Sequence, residues 1–226
     1  MRIANESKFQ HIPDTTKERE IIYITGPSGS GKSTYTRMFL EEYKKKHRDR
    51  EIYLFSSLRE DESLDKIKPK RFKINDELWK TPIKVDELAE SVVIFDDIDN
   101  ITNKRQKEAV YDILNNILEV GRHHKITCIV TMHLPTNGRE TRRVLNEAHA
   151  YVYFPHSAGG KIKYLLQEYL DIDKNLIRYF KNAHSRWCCI FKNYPMAYML
   201  EHEIGMLNQD DEDDDDDDKE NGGNTI

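Results

Sequence analysis

Residues Gly26 to Ser33 read Gly-Pro-Ser-Gly-Ser-Gly-Lys-Ser, a phosphate-binding loop of the form G-x-x-x-x-G-K-[ST]. Gly26, Gly29 and Gly31 let the backbone wrap closely with its N–H groups turned inward, which makes a nest for an anion. A helix starting at about Lys32 would aim its unpaired N–H groups and positive dipole end at the same anion. The expected cradle is Gly26, Pro27, Ser28, Gly29, Ser30, Gly31, Lys32, Ser33 and Thr34. Lys32 should reach the β- and γ-phosphates, and the Ser33 hydroxyl should ligate Mg²⁺. ATP and Mg²⁺ are therefore the expected ligands.

A metal-bound triphosphate also needs a carboxylate at the end of a neighbouring strand. Val92-Val93-Ile94-Phe95-Asp96-Asp97 supplies two in succession. Asp96 is expected on Mg²⁺. Asp97 stands where many ATPases carry the acid that orients and deprotonates the attacking water. The bland reading has Asp97 and Asp99 capping the next helix, and it is preferred for Asp99. The run Ile126–Met132 carries Thr131 at its tip and is followed by His133. His133 either senses the γ-phosphate and holds the water, or is a loop histidine with a structural hydrogen bond. Arg122, and the cluster Arg139, Arg142 and Arg143, are candidates for the positive charge that phosphoryl transfer draws on, often from a neighbouring subunit.

Positioning these groups requires strands that alternate with helices. Glu20–Thr25 reads as a buried strand leading into the loop, and Ser33–His47 as the helix leaving it. Strands are expected at 51–58, 71–74, 92–97, 126–132, 151–154, 186–191, 197–200 and 204–207. Helices are expected at 103–120, 141–147, 161–170 and 174–183, with a last helical turn at 86–91. In the 103–120 segment, Val110, Ile113, Leu114, Ile117 and Leu118 form one apolar stripe, and Gly121 is placed to cap it. This alternation predicts an α/β fold with a mostly parallel sheet and helices on both faces.

The chain has 226 residues and a net charge of −5. Asp210–Glu220 holds ten acidic residues and one Lys, which leaves 34 basic and 30 acidic residues, or +4, for the rest. The reading is an N-terminal extension at 1–19, one domain at 20–208 and a disordered acidic tail at 209–226. The tail is either a solubilising segment or a nucleic-acid mimic lying on the mildly basic body. Cys128, Cys188 and Cys189 form neither a disulfide framework nor a zinc set and read as packed thiols. No stretch approaches the ~20 apolar residues of a membrane span. No membrane association and a cytoplasmic location are therefore expected.

The loop GPSGSGKS, the strand VVIFDD, the segment Gly121-Arg122-His123 and the strand ITCIVTMH together resemble the genome-packaging ATPases of large DNA viruses, poxvirus-type proteins of the FtsK/HerA division of P-loop ATPases. The run Leu134–Ala148 and Ser185-Arg186-Trp187 extend the resemblance, which covers about residues 20–207. It implies a RecA/FtsK-like core with an additional strand. It also implies ATP-driven movement of double-stranded DNA into a capsid by a homo-oligomeric ring, with arginine fingers acting between subunits and location in host cytoplasm or virion. The division commonly has Gln where this chain has His133.

Two other functions fit the loop: a nucleoside or nucleotide kinase using the Arg139/Arg142/Arg143 cluster as a phosphate clamp, and a nucleotide-dependent switch. Sheet order separates the first from a motor. A motor core has a strand between the loop strand and the Asp96 strand, whereas a simple kinase places those two side by side.

Overall fold

The computed structural model describes residues 1–157 and 159–207. The expected acidic tail lies outside these residues. Ten strands form one sheet: β1 (Arg2–Ala4), β2 (Ile21–Thr25), β3 (Ile52–Ser56), β4 (Lys70–Lys73), β5 (Val92–Asp96), β6 (Thr127–Met132), β7 (Ala150–Tyr153), β8 (Cys188–Phe191), β9 (Ala197–Met199) and β10 (Glu203–Met206). The helices are α1 (Lys32–Lys46), α2 (Asp76–Lys80), α3 (Lys104–Val120), α4 (Arg139–Glu147), α5 (Gly160–Tyr164) and α6 (Lys174–Asn182). The segment expected as one helix at 161–170 instead passes from α5 into a π-helical turn, Leu165–Tyr169.

The strand order is β1-β10-β9-β8-β7-β2-β6-β5-β3-β4. From β7 to β4 the strands are parallel; from β7 outward to β1 each pair is antiparallel. Strand β6 lies between the loop strand β2 and the carboxylate strand β5, the additional-strand arrangement of a motor core and not that of a simple kinase. Arg2–Ala4, within the expected N-terminal extension, pairs with β10 at the sheet edge.

The parallel strands inside the sheet read as nearly continuous apolar runs because both of their faces are covered, whereas the edge strand β4 (Lys-Arg-Phe-Lys) does not. Ile21 and Tyr23 of β2 face a core built with α3, α4 and α6, while Ile22 and Ile24 face a second core built with Tyr35, Phe39, Leu40 and Tyr43 of α1. Side chains two apart share a face, so the central strands β3, β5, β6 and β7 likewise feed both cores. The expected stripe of α3, Val110 to Leu118, is fully buried in the first core.

Helix α3 begins at Asn103, whose side chain accepts from Arg105 N and Gln106 N. Its C-terminus is closed by Gly121, which is right-handed (φ −60°) and donates its N–H to Ile117 O. The glycine is needed there for space. A Cβ would sit 2.4 Å from Ile117 O and 2.9 Å from the Arg19 guanidinium, which itself donates to Ile117 O and Leu118 O.

Candidate functional site: a phosphate loop facing two carboxylates

The loop leaves β2 at Gly26, whose N–H is bonded to Met132 O, so its root is fixed to the end of β6. Gly31 precedes α1 at φ +115°, a conformation that L side chains rarely adopt. Having no side chain, Gly31 cannot cap the helix, and no side-chain cap is formed. The first N–H groups of α1 stay available to an anion. Lys32 is buried, with 6% of its surface exposed, and its ammonium lies 2.9 Å from Gly26 O and 3.3 Å from Asp97 Oδ1.

Both carboxylates of the pair converge on a single hydroxyl. Successive side chains of a strand point to opposite faces. Here the chain turns left-handed at Asp97 (φ 49°), immediately after β5 ends. Asp97 N–H donates to Thr131 Oγ1 at 2.9 Å, and that hydroxyl lies 2.9 Å from Asp96 Oδ1 and 3.2 Å from Asp97 Oδ1. Ser56, at the end of β3, donates to Asp96 Oδ2 at 3.1 Å. Asp96 is 3% exposed. Burial first, and then the neighbouring charge of Asp97, raise its pKa above the ordinary carboxylate value.

The donor set fits Mg²⁺, a cation that takes oxygen ligands. Asp96 is a buried carboxylate with an acidic neighbour, and a divalent charge would relieve both costs of its ionisation. Ser33, the other expected ligand, follows Lys32 in the first turn of α1.

His133 lies next to Asp97, with Nε2 3.5 Å from Asp97 Oδ2. Its Nδ1 is 2.9 Å from Asn100 Nδ2, and its backbone N–H donates to Asp99 Oδ2. Asp99 was expected to cap the following helix. It caps the end of β6 instead, accepting from both His133 N and Leu134 N, while Asn103 caps α3. Asp97, Asp99 and His133 thus form a cluster whose ligand-type atoms lie within 4.8 Å of one another.

Arg122 is not brought to its own chain's loop. It follows α3, before β6 begins, and pairs with Glu18 at 2.9 Å with 73% of its side chain exposed. The loop sits at the other end of β6, roughly 17 Å away at ~3.3 Å per residue. Arg143 lies 3.8 Å from Glu119 on α3, and Arg139 starts α4 exposed. Sequence reasoning missed Ser56 and Asn100. Each is an ordinary polar residue at a strand end or turn, and only the sheet order brings them to Asp96 and His133. Cys128, Cys188 and Cys189 are buried and unbridged, as packed thiols should be. Among the described residues no helix is long and apolar enough to cross a membrane.

A glycine-rich loop between β2 and α1, a carboxylate strand two places away and a strand between them define a P-loop NTPase with an additional-strand core. Residues 4–151 match the family model described as novel STAND NTPase 3, and the chain belongs to that family. It is 39% identical over 203 residues to uncharacterized protein V3 of Sputnik virophage, covering 88% of this chain and 82% of that protein. The fold is similar to that of B204, the DNA-packaging ATPase of Sulfolobus turreted icosahedral virus, with a TM-score of 0.53, 16% identity and coverage of 84% of this chain and 97% of that one. B204 of Sulfolobus turreted icosahedral virus 2, solved with AMPPCP, matches with a TM-score of 0.52 and 14% identity over 82% of this chain and 99% of that one. The similarity to viral genome-packaging ATPases implied by the sequence is therefore present in the fold.

Proposed function

We propose that the chain hydrolyses ATP with Mg²⁺ and couples the reaction to movement of double-stranded DNA, as in viral genome packaging. The observation that carries the hydrolytic reading is the presentation of Asp97 beside Lys32 and His133, with Asp96 turned to Ser56 and sharing Thr131 with Asp97. In this reading the loop backbone and Lys32 hold the triphosphate, and Ser33 and Asp96 hold Mg²⁺. The cation, when bound, supplies charge neutralisation on the phosphates.

Before nucleotide arrives, Asp97 shares Lys32. A γ-phosphate competing for Lys32 frees Asp97 to orient and deprotonate a water, with His133 steadying the carboxylate from its other oxygen. Arg122 acts, in this reading, only on a neighbouring subunit's nucleotide in a homo-oligomeric ring. The description of B204 as a DNA-packaging ATPase and the mildly basic body support a DNA partner; a capsid partner belongs to the same packaging proposal.

The test is phosphate release from ATP and Mg²⁺ with and without double-stranded DNA, run beside an assay for phosphate transfer to nucleosides. Release stimulated by DNA supports the proposal. Transfer to a nucleoside without release to water overturns it.

A further inference from the structure

A cleft of about 260 Å³ opens beside the phosphate loop, on the flank away from Asp96 and Asp97. Its floor is Gly31 and Thr34, at the start of α1. In the proposed reading the γ-phosphate end of the triphosphate lies at Lys32, facing the water-orienting Asp97, toward β6 and β5. In that reading the rest of the nucleotide extends to the opposite side of the loop, over β7 and β8. The cleft lies there, lined by Phe154 just after β7 and by Arg186 and Trp187 just before β8.

The walls suit a flat ring. Phe154 and Trp187 are 3% and 6% exposed and so are fixed by packing, and Met38 of α1 adds an adaptable apolar side. Arg186 is exposed, and among the described residues its side chain makes no hydrogen bond and no ion pair within 4 Å, although its charge helps to hold the Glu201 pKa down. The backbone around it is held rigidly, because Arg186 N–H donates to Glu201 Oε2 at 2.9 Å. Glu201, 7% exposed, also takes the Lys8 ammonium at 2.7 Å, and its carbonyl accepts from Phe9 N–H. The N-terminal segment is thereby stapled along the rim of the cleft.

We propose that this cleft is the nucleoside subsite, taking the base and ribose of the bound triphosphate with Arg186 laid on the base face. The inference rests on the proposed nucleotide reading and adds where and how the base is held. A planar guanidinium stacks on an aromatic ring and gains cation–π attraction.

The test compares binding of AMPPCP and of inorganic tripolyphosphate, both with Mg²⁺, by calorimetry. Trp187 also serves as a reporter in a Trp79→Phe background, because the chain has only two tryptophans. The expected result is tighter binding of AMPPCP than of tripolyphosphate, with only AMPPCP changing Trp187 fluorescence. Arg186→Ala should weaken AMPPCP about fivefold, the loss of one cation–π contact, and leave tripolyphosphate unchanged. Met38→Tyr, which fills the cleft, should do the same without touching the guanidinium. Equal binding of the two ligands, or equal weakening of both by Arg186→Ala, overturns the subsite while leaving the phosphate loop intact. Binding of neither ligand overturns the nucleotide reading, and this inference with it.

Discussion

Thr131→Val tests whether one hydroxyl holds the two carboxylates in register. The substitution nearly preserves shape but deletes Oγ1, which accepts from Asp97 N–H and lies within hydrogen-bonding distance of Asp96 and Asp97. Thr131 is fully buried, so water does not readily replace it. An unsatisfied buried N–H costs ~1–3 kcal/mol, and a lost hydrogen bond to a charged group ~1.5–3 kcal/mol. The two losses share one atom and are not additive, so the expected destabilisation is about 3 kcal/mol. At ~3 °C per kcal/mol for a chain of this size, Tm should fall by about 9 °C. Thr131→Ser keeps the hydroxyl and loses one methyl, worth about 1 kcal/mol, or roughly 3 °C. Calorimetric unfolding of the two variants without nucleotide checks the difference. Nucleotide binding should survive in Thr131→Val while turnover falls, because Asp97 loses its anchor and the loop does not. Indistinguishable Tm values for the two variants, or unchanged turnover in Thr131→Val, would refute the reasoning.

The other predictions concern the loop, the acid and the N-terminal staple. Lys32→Ala should weaken AMPPCP by about a hundredfold in equilibrium titration, through the loss of charge-assisted hydrogen bonds. Asp97→Asn should keep AMPPCP affinity and lose turnover by ~10²–10⁴, the usual worth of a general base; full phosphate release would remove Asp97 from that role. Burial raises the pKa of Glu201, but the bonds from Lys8 and the Arg186 N–H outweigh it, and the net shift is downward. A carboxyl with a lowered folded-state pKa adds stability above its unfolded value of ~4.3 and loses it as pH falls through the folded value. Glu201→Gln should therefore lower Tm at pH 7, with the gap to the unaltered chain closing below about pH 4; a gap that persists at acid pH contradicts this ion-pair account.

The chemistry of the loop was legible in the sequence because it is local. Eight consecutive residues set the backbone that wraps an anion, and the apolar run before them and the glycine-free segment after them set β2 and α1. The Val92–Asp97 run was equally readable, since a strand buried on both faces must be continuously apolar up to its polar end. The existence of Asp96 and Asp97 as a pair needed no fold. Their convergence on Thr131 did, because it depends on a left-handed turn at Asp97 and on β6 lying beside β5. No local pattern encodes strand order; it is decided by which faces of which strands can be buried together. The same order brought Ser56 to Asp96 and Asn100 to His133, sent Asp99 to the end of β6 in place of a helix cap, and left Arg122 at the far end of the sheet. The sequence alone determined a phosphate-loop motif at Gly26–Ser33, between a strand and a helix, and two successive acids at the end of a second strand. Only the tertiary structure decided which acid faces Lys32, and that a cleft opens beside the loop on the flank of β7 and β8, because both depend on strand order.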